Sequence, residues 1–326
     1  MRFREEIFNI KSEEDFDNIA IELFHYQFEQ NPVYRDFVNT LSISPSGIKH
    51  FENIPFLPIS FLKTQRILTG IQDPEKVFLS SGTSGMERSR HHITDISVYK
   101  QSLLGSFEYF YGDPAGYKIL ALVPDPVNNP DSSLAFMVNL LMETAHPGEK
   151  YFFMDDLSSL NEKILFFGKS QKKIILIGLT SALMDFSEHF SSVYPDLIVM
   201  ETGGMKGKRQ ELIREELHAL LSRKLGVSEI HSEYGMTELL SQAYSRGNGL
   251  FSSPPWMKVL IRDTNDPLTL IKSGQAGGIN VIDLANFNSS SFIATNDLGK
   301  LHKDHQFEVL GRFDHSDIRG CNLMAG

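Results

Sequence analysis

The sequence predicts an α/β protein with mixed β-sheets flanked by helices and a small β-rich lobe towards its C-terminal side. Strand-like apolar runs at Lys118–Val123, Tyr151–Met154, Ile174–Ile177 and Leu197–Met200 alternate with helical stretches near Ile96–Phe110, Leu134–Met142, Leu157–Phe167 and Gln210–Leu225. Such alternation is the pattern of crossover units on a mostly parallel sheet. After Ser252 the texture changes to short strands, Met257–Ile261, Ile279–Asp283, Phe292–Ala294 and Phe307–Leu310, separated by Gly, Pro, Asn and Asp. With 326 residues, 41% of them hydrophobic, the chain can bury a large core, as one big domain or two smaller ones.

The elements follow in order. From Ser12, a helix cap, the residues Phe16, Ile19, Ala20, Leu23, Phe24 and Phe28 recur at helical spacing and stop near Asn31-Pro32, which defines an amphipathic helix. Pro55 and Pro58 force an extended connection. Val77–Leu79 then reads as a short strand feeding a Ser/Gly loop, and Val227–His231 as another strand ahead of an acidic motif. The expected organisation is an N-terminal helical segment over 1–54, an α/β core over 55–251, and a β-rich lobe with its tail over 252–326. No internal repeat or low-complexity tract interrupts it.

Composition excludes several classes. A formal charge of −10 argues against nucleic acid as a partner, since binding a phosphate-coated polymer needs a surplus of Lys and Arg along one face. The single cysteine, Cys321, excludes an internal disulfide framework and a cysteine-rich zinc site. No metal-ligand pair stands out among the 11 histidines. No stretch approaches the roughly 18–20 apolar residues of a membrane span, and Met1–Ile10 lacks a secretory apolar core. A cytoplasmic protein is expected.

Chemistry concentrates in a few segments. Ser80, Ser81, Gly82, Thr83, Ser84 and Gly85 have the composition of a phosphate cradle: the glycines let backbone N–H groups converge on an anion, and the hydroxyls add donors. An exposed Ser/Gly turn is the alternative. Glu233–Glu238 reads E-Y-G-M-T-E, where Tyr234 can stack on a purine, Thr237 can reach a phosphate oxygen and Glu238 can hold a magnesium ion. A helix start capped by Thr237 is the plainer reading of that string. Asp297 in N-D-L-G suits a pair of ribose hydroxyls, with Arg312 in G-R-F-D beside it; otherwise the two are a turn residue and a strand end.

In order and separation, these segments resemble the signature motifs of the adenylate-forming superfamily, which includes acyl- and aryl-CoA synthetases, firefly luciferases and peptide-synthetase adenylation domains. Within it, the short length, the E-T-G-G-M-K-G run at Glu201–Gly207 and the ending G-R-F-D-H-S-D-I-R-G-C-N-L-M resemble the LuxE-like acyl-protein synthetases. The resemblance covers roughly Pro55–Met324 and implies the large-domain fold of that superfamily, with the mobile C-terminal lobe of the larger members largely absent. It implies ATP-dependent activation of a carboxylic acid, expected to be a fatty acid, to acyl-AMP with loss of pyrophosphate, followed by acyl transfer to Cys321 and onward to a partner.

Residue by residue, the resemblance places Ser80–Gly85 on the phosphates and Gly203-Gly204 along adenine. It places Tyr234-Gly235 at the adenine stack, Thr237 at the α-phosphate, Glu238 on Mg²⁺, and Asp297 with Arg312 on the ribose. The usual lysine after the phosphate loop is replaced by Met86-Glu87-Arg88-Ser89-Arg90-His91-His92, so Arg88, Arg90 or a histidine stands in its place, with Arg90 the candidate for a catalytic role. The catalytic lysine of the larger members' mobile lobe has no counterpart; Arg88, Arg90, Lys206 and Lys208 are the available cations. The expected acceptors are an acyl-CoA reductase-like protein, a carrier protein or CoA. An acyl-CoA or acyl-carrier synthetase with a structural Cys321, and a non-catalytic adenylate-binding module, remain the alternatives.

Overall fold

The structure is a computed structural model that describes residues 2–81, 87–170, 172–189, 196–203 and 213–313. In chain order the elements are α1 (Arg2–Ile7), α2 (Glu13–Gln30), α3 (Pro32–Thr40), β1 (Leu57–Pro58), α4 (Phe61–Thr64), β2 (Lys76–Leu79) and β3 (Arg90–Ile93). Then come α5 (Ile96–Tyr111), β4 (Tyr117–Leu122), α6 (Ser133–Ala145), α7 (Leu157–Phe167), β5 (Lys173–Leu179), α8 (Thr180–His189), β6 (Leu197–Thr202) and α9 (Arg214–Leu225). The remaining strands are β7 (Ile230–Tyr234), β8 (Ala243–Ser245), β9 (Leu250–Phe251), β10 (Met257–Arg262), β11 (Ala276–Asp283), β12 (Phe292–Leu301) and β13 (Phe307–Arg312). The chain divides into two compact units, one of Met1–Glu75, His91–Thr94 and Pro255–Gly326, the other of Lys76–Arg90 and Asp95–Pro254.

In the first unit both ends of the chain share one core. α2 starts in a capping box, Ser12 accepting from the Asp15 N–H while the Asp15 carboxylate takes the Ser12 N–H, which satisfies two helix-end donors at once. Its apolar face, Phe16, Ile19, Ala20, Leu23 and Phe24, is buried. The sheet of this unit runs β10–β11–β12–β13 in antiparallel order, and β1 lies parallel to β12 through Leu57↔Ile293 and Pro58↔Ala294. Tyr34 of α3 stacks on Phe292 at 6.1 Å and donates its hydroxyl to the Pro55 carbonyl at 2.7 Å. Gln27 of α2 reaches the turn after β11. Its amide nitrogen donates to the Phe287 carbonyl at 3.0 Å and to Ser291 Oγ at 3.1 Å, and its oxygen accepts from the Ser291 N–H at 3.1 Å.

The second unit is the crossover fold that the apolar runs predict. Its sheet orders β4–β5–β6–β7–β8, the first four parallel and β8 antiparallel to β7. Such strands are buried on both faces and read as continuous apolar runs rather than alternating ones. On one face Leu120, Leu122, Leu176 and Val199 pack with Leu160, Ile164, Phe186, Leu217 and Leu221 of α7, α8 and α9. The expected strand at Tyr151–Met154 is a correction: only Phe152 bridges, to Ala121. Two backbone bonds, Ala121 N–H to the Tyr151 carbonyl and Phe153 N–H to the Ala121 carbonyl, hold the segment at the β4 edge. It ends there because Asp156 turns away to cap α7 through the Ser159 N–H. Helix α9 begins at Arg214, whereas the expected start at Gln210 lies outside the described residues. Among the described residues no helix is long and apolar enough to cross a membrane.

Replacing Gln27 with Leu leaves the Phe287 carbonyl and the Ser291 N–H buried without partners. A loss of about 1–3 kcal/mol of stability is expected, read from the midpoint of urea unfolding followed by circular dichroism.

Candidate active site

The second unit gathers polar side chains at the C-terminal ends of β5, β6 and β7, the edge at which parallel α/β sheets bind ligands. β6 ends Glu201-Thr202 and β7 ends Ser232-Glu233-Tyr234, and the parallel register sets Glu201 beside Ser232 and Thr202 beside Glu233. Successive residues of a strand point to opposite faces, so the two carboxylates, both buried, are sent to opposite sides of the sheet.

Glu201 lies on the α9 side. It accepts from Thr180 Oγ1 and Ser232 Oγ, each at 2.9 Å, with His218 Nε2 at 3.5 Å and Arg214 Nε at 3.9 Å. Burial by itself would raise this carboxyl, but the His218 hydrogen bond, the Arg214 charge and the Thr180 hydroxyl outweigh it and hold it below the ordinary value. The Thr180 hydroxyl also reaches the carbonyl of Gly203 at 2.8 Å. Gly203 has φ +68°, a left-handed conformation that explains the glycine there.

Glu233 lies on the other face with the Thr202 hydroxyl donating to it. Burial pushes this carboxyl up to about 7, against the Thr202 bond, and the neighbouring Glu201 charge adds to the rise. Its side chain curls over the next turn: an ideal Cβ on Gly235 would lie 2.3 Å from Glu233 Oε1, so any side chain there would have to displace the Glu233 carboxyl. The turn that follows is no helix. Leu239 N–H donates to the Met236 carbonyl and the chain returns antiparallel as β8, which removes the helix-start reading of the motif.

The turn places the other predicted residues. Tyr234 closes β7, buried, with its ring edge-on to Phe251 at 5.9 Å. Thr237 is half-buried and accepts from the hydroxyl of Ser133, the first residue of α6, at 3.3 Å. Glu238 is buried, only 5% exposed. Among the described residues no three His, Cys, Asp or Glu side chains gather into a metal cage. One buried carboxylate next to a hydroxyl-bearing residue suits a hard cation that takes oxygen ligands and relies mainly on phosphates, as magnesium does.

Ahead of the Ser/Gly loop, Ser80 donates its N–H to the Ser89 carbonyl and accepts the Ser89 N–H on its hydroxyl at 2.9 Å. Arg88 donates to the Ser80 carbonyl, so its guanidinium braces the base of the loop. Ser81 and Arg90 are exposed. His91 is buried against Asn286 at 2.9 Å and is structural. His231 bonds Tyr111 at 2.9 Å, and burial, aided by the Arg246 charge, drives it down to about 4, so it is neutral at physiological pH. Gly82, Thr83, Ser84 and Gly85 of the loop, Gly204, Lys206, Lys208 and Cys321 lie outside the described residues.

In the first unit Asp297 and Arg312 are cross-strand partners in β12–β13, with Arg312 Nε 3.2 Å from Asp297 Oδ1. Asp297 is buried while Arg312 is exposed, and the Asp297 N–H is held by Thr295 Oγ1 at 3.0 Å. Sequence reasoning missed Glu201, Glu233, Thr180 and Ser133 as partners of the motif residues. The available signal was a carboxylate closing an apolar strand, as in L-I-V-M-E-T at Leu197–Thr202.

The family described as "Acyl-protein synthetase, LuxE" matches residues 8–325. Comparison with curated proteins finds no match. Among solved structures, the chain is similar to ATP-bound MatB from Rhodopseudomonas palustris, at 17% identity and a TM-score of 0.53 over 72% of this chain and 47% of that one. It is similar to an open conformation of 2-hydroxyisobutyryl-CoA ligase in complex with 2-HIB-AMP and CoA, at 11% identity and a TM-score of 0.68 over 93% of this chain and 70% of that one. A third is O-succinylbenzoate coenzyme A synthetase (MenE) from Bacillus subtilis in complex with AMP, at 17% identity and a TM-score of 0.52 over 74% and 49%. At these identities the likeness establishes the fold, that of the adenylate-forming enzymes. The chain spans about half the length of MatB and MenE.

The ionisation of Glu233 has a measurable sign. Its folded pKa of about 7 lies above the unfolded value, so its contribution to stability is full below about pH 4.5 and is lost as pH rises towards 7. Wild type is expected to lose on the order of 2–3 kcal/mol relative to Glu233→Gln across that window. Urea midpoints of the two proteins from pH 4.5 to 8 check this; parallel profiles would refute the assignment.

Proposed function

The chain belongs to the LuxE acyl-protein synthetase family, and on that premise we propose that it activates a carboxylic acid with ATP and transfers the acyl group to a thiol. The family match over residues 8–325 carries this reading, supported by the fold shared with ATP- and AMP-bound adenylate-forming enzymes. In the first step a carboxylate oxygen attacks the α-phosphorus, the bond to the bridging oxygen breaks, and pyrophosphate leaves with the electron pair. Both reactants are anions, so catalysis rests on alignment and on neutralising the phosphoryl oxygens.

In this reading Tyr234, braced by Phe251, meets the adenine, and the Thr237 hydroxyl, oriented by Ser133, donates to an α-phosphate oxygen. The Asp297 carboxylate accepts from the ribose hydroxyls, with Arg312 holding it in place. The Ser80–Gly85 loop takes the distal phosphates, Arg88 holding its base and Arg90 supplying charge. Gly203 and Gly204 flank the adenine. Magnesium, when bound at Glu238, neutralises charge on the phosphate oxygens. In the second step the Cys321 thiolate attacks the acyl carbonyl and AMP departs, leaving a thioester that passes to a protein partner or to CoA. Direct transfer to CoA is the second reading, favoured by the likeness to a ligase whose complex contains CoA.

Glu238→Gln is expected to lower carboxylate-dependent exchange of pyrophosphate into ATP about 100-fold or more while leaving the fold intact, since it removes charge stabilisation at the phosphates. Near-normal exchange would take Glu238 out of the site. Cys321→Ala is expected to keep that exchange but to lose the hydroxylamine-labile acyl mass that wild type gains with ATP, magnesium and acid, read by intact-protein mass spectrometry. An adduct retained in the variant, or never formed in wild type, would favour direct transfer to CoA or a carrier.

A further inference from the structure

The face of β7 and β8 that meets α5 is unusual for a protein interior. Glu233 and Tyr244 sit opposite one another across the two strands and therefore share this face. The Tyr244 ring lies 5.4–6.4 Å from Tyr111, Phe110 and Phe107 of α5. The Ser241 hydroxyl meets that of Ser102, one turn earlier on the same helix, at 2.9 Å. Within this packing the Tyr244 hydroxyl, Gln242 Oε1 and Ser106 Oγ have no hydrogen-bond partner among the described residues, although the three side chains are only 2%, 3% and 0% exposed. Ser106 stands between Ser102 and Phe110 along the helix face, one turn from each. Buried polar atoms carry the full desolvation cost unless something bonds them.

This seam reaches the candidate site. Gln242 Cγ lies 3.4 Å from where a Cβ on Gly235 would sit, in the middle of the Tyr234–Glu238 turn. An acid whose carboxylate meets the α-phosphate at Thr237 must place the rest of its body next to that turn. The seam lines that space with aromatic side chains of α5 and with a phenol, an amide oxygen and a serine hydroxyl. The two hydroxyls can donate and accept and the amide oxygen can accept, which suits a hydroxyl or an amide group on the guest and is wasted on a methylene chain.

We propose that the seam between α5 and β8 is the pocket for the body of the substrate acid, and that this acid carries a hydroxyl or amide group on an apolar stem rather than being a plain saturated fatty acid. The proposal rests on the acyl-adenylate reading. It also gives Gln242 and Tyr244 a task as specificity determinants: a site built to bond a polar group rejects the analogue that lacks it far more strongly than an apolar pocket rejects an added group.

Pyrophosphate exchange with matched acids tests it: benzoate against para-hydroxybenzoate, hexanoate against its omega-hydroxy and omega-carboxamide derivatives, and tetradecanoate as the saturated fatty acid. In wild type the polar member of at least one pair should exceed both its unsubstituted partner and tetradecanoate by about tenfold or more in kcat/KM, the factor of one hydrogen bond. The double variant Tyr244→Phe, Gln242→Met, which keeps side-chain volume and hence the fold, should bring that ratio close to one. A wild type that prefers tetradecanoate, or a polar preference that survives the double substitution, overturns the proposal. If no acid supports exchange, the adenylate reading fails by itself. The seam is then judged by ligand-observed NMR with para-hydroxybenzoate and omega-hydroxyhexanoate. Binding by wild type that the double variant loses upholds the pocket, and no binding by wild type overturns it.

Discussion

The parallel register of β6 with β7 is the constraint from which the candidate site follows. It sets Glu201 against Ser232 and Thr202 against Glu233, and the pleat then separates two acids that are neighbours along the sheet edge. On one face α9 supplies His218 and Arg214, and the carboxylate of Glu201 is held ionised. On the other face the described partner of Glu233 is a hydroxyl, and that carboxyl keeps its proton to about pH 7. One geometric rule thus produces two buried acids with opposite charge behaviour, the arrangement by which proteins separate the roles of chemically identical groups.

The same constraint fixes both glycine positions of the site. Thr180, bonded to Glu201, also reaches the Gly203 carbonyl, where the backbone turns through positive φ. Glu233 occupies the space that a side chain at Gly235 would need. The turn carrying Tyr234, Thr237 and Glu238 is therefore shaped from beneath by a carboxyl group of its own strand. Its return as β8 carries Gln242 and Tyr244 onto the face that Glu233 shares. The polarity of that interior seam is a by-product of strand pairing that a ligand can use.

Much of the fold was legible because it rests on local rules. The α2 stripe and its Ser12 cap, the apolar runs of β4, β5 and β6, and the change of texture after Ser252 each follow from periodicity or turn chemistry within about 20 residues. Tyr151–Met154 misled because four apolar residues at strand-like spacing say nothing about whether a neighbouring edge will pair with all of them. Asp297 and Arg312 could be named as companions from their motifs, and strand pairing brings them within 3.2 Å. Glu201 and Glu233 escaped because a carboxylate in an apolar strand shows in sequence only as a break in the run.

The sequence by itself determined the class of the long, periodic elements, the order of the motifs and the family to which they belong, since these depend on residue type and spacing along one chain. Only the tertiary structure decided which distant residues share a core and which share a face. Gln27 bonds Ser291, 264 positions away, because the first unit is assembled from both ends of the chain. Glu201 and Glu233 differ in ionisation because of what packs above each face of the sheet. Burial, hydrogen bonding and charge act through space at distances of a few ångströms, and separation along the chain carries no information about them until the strands have paired.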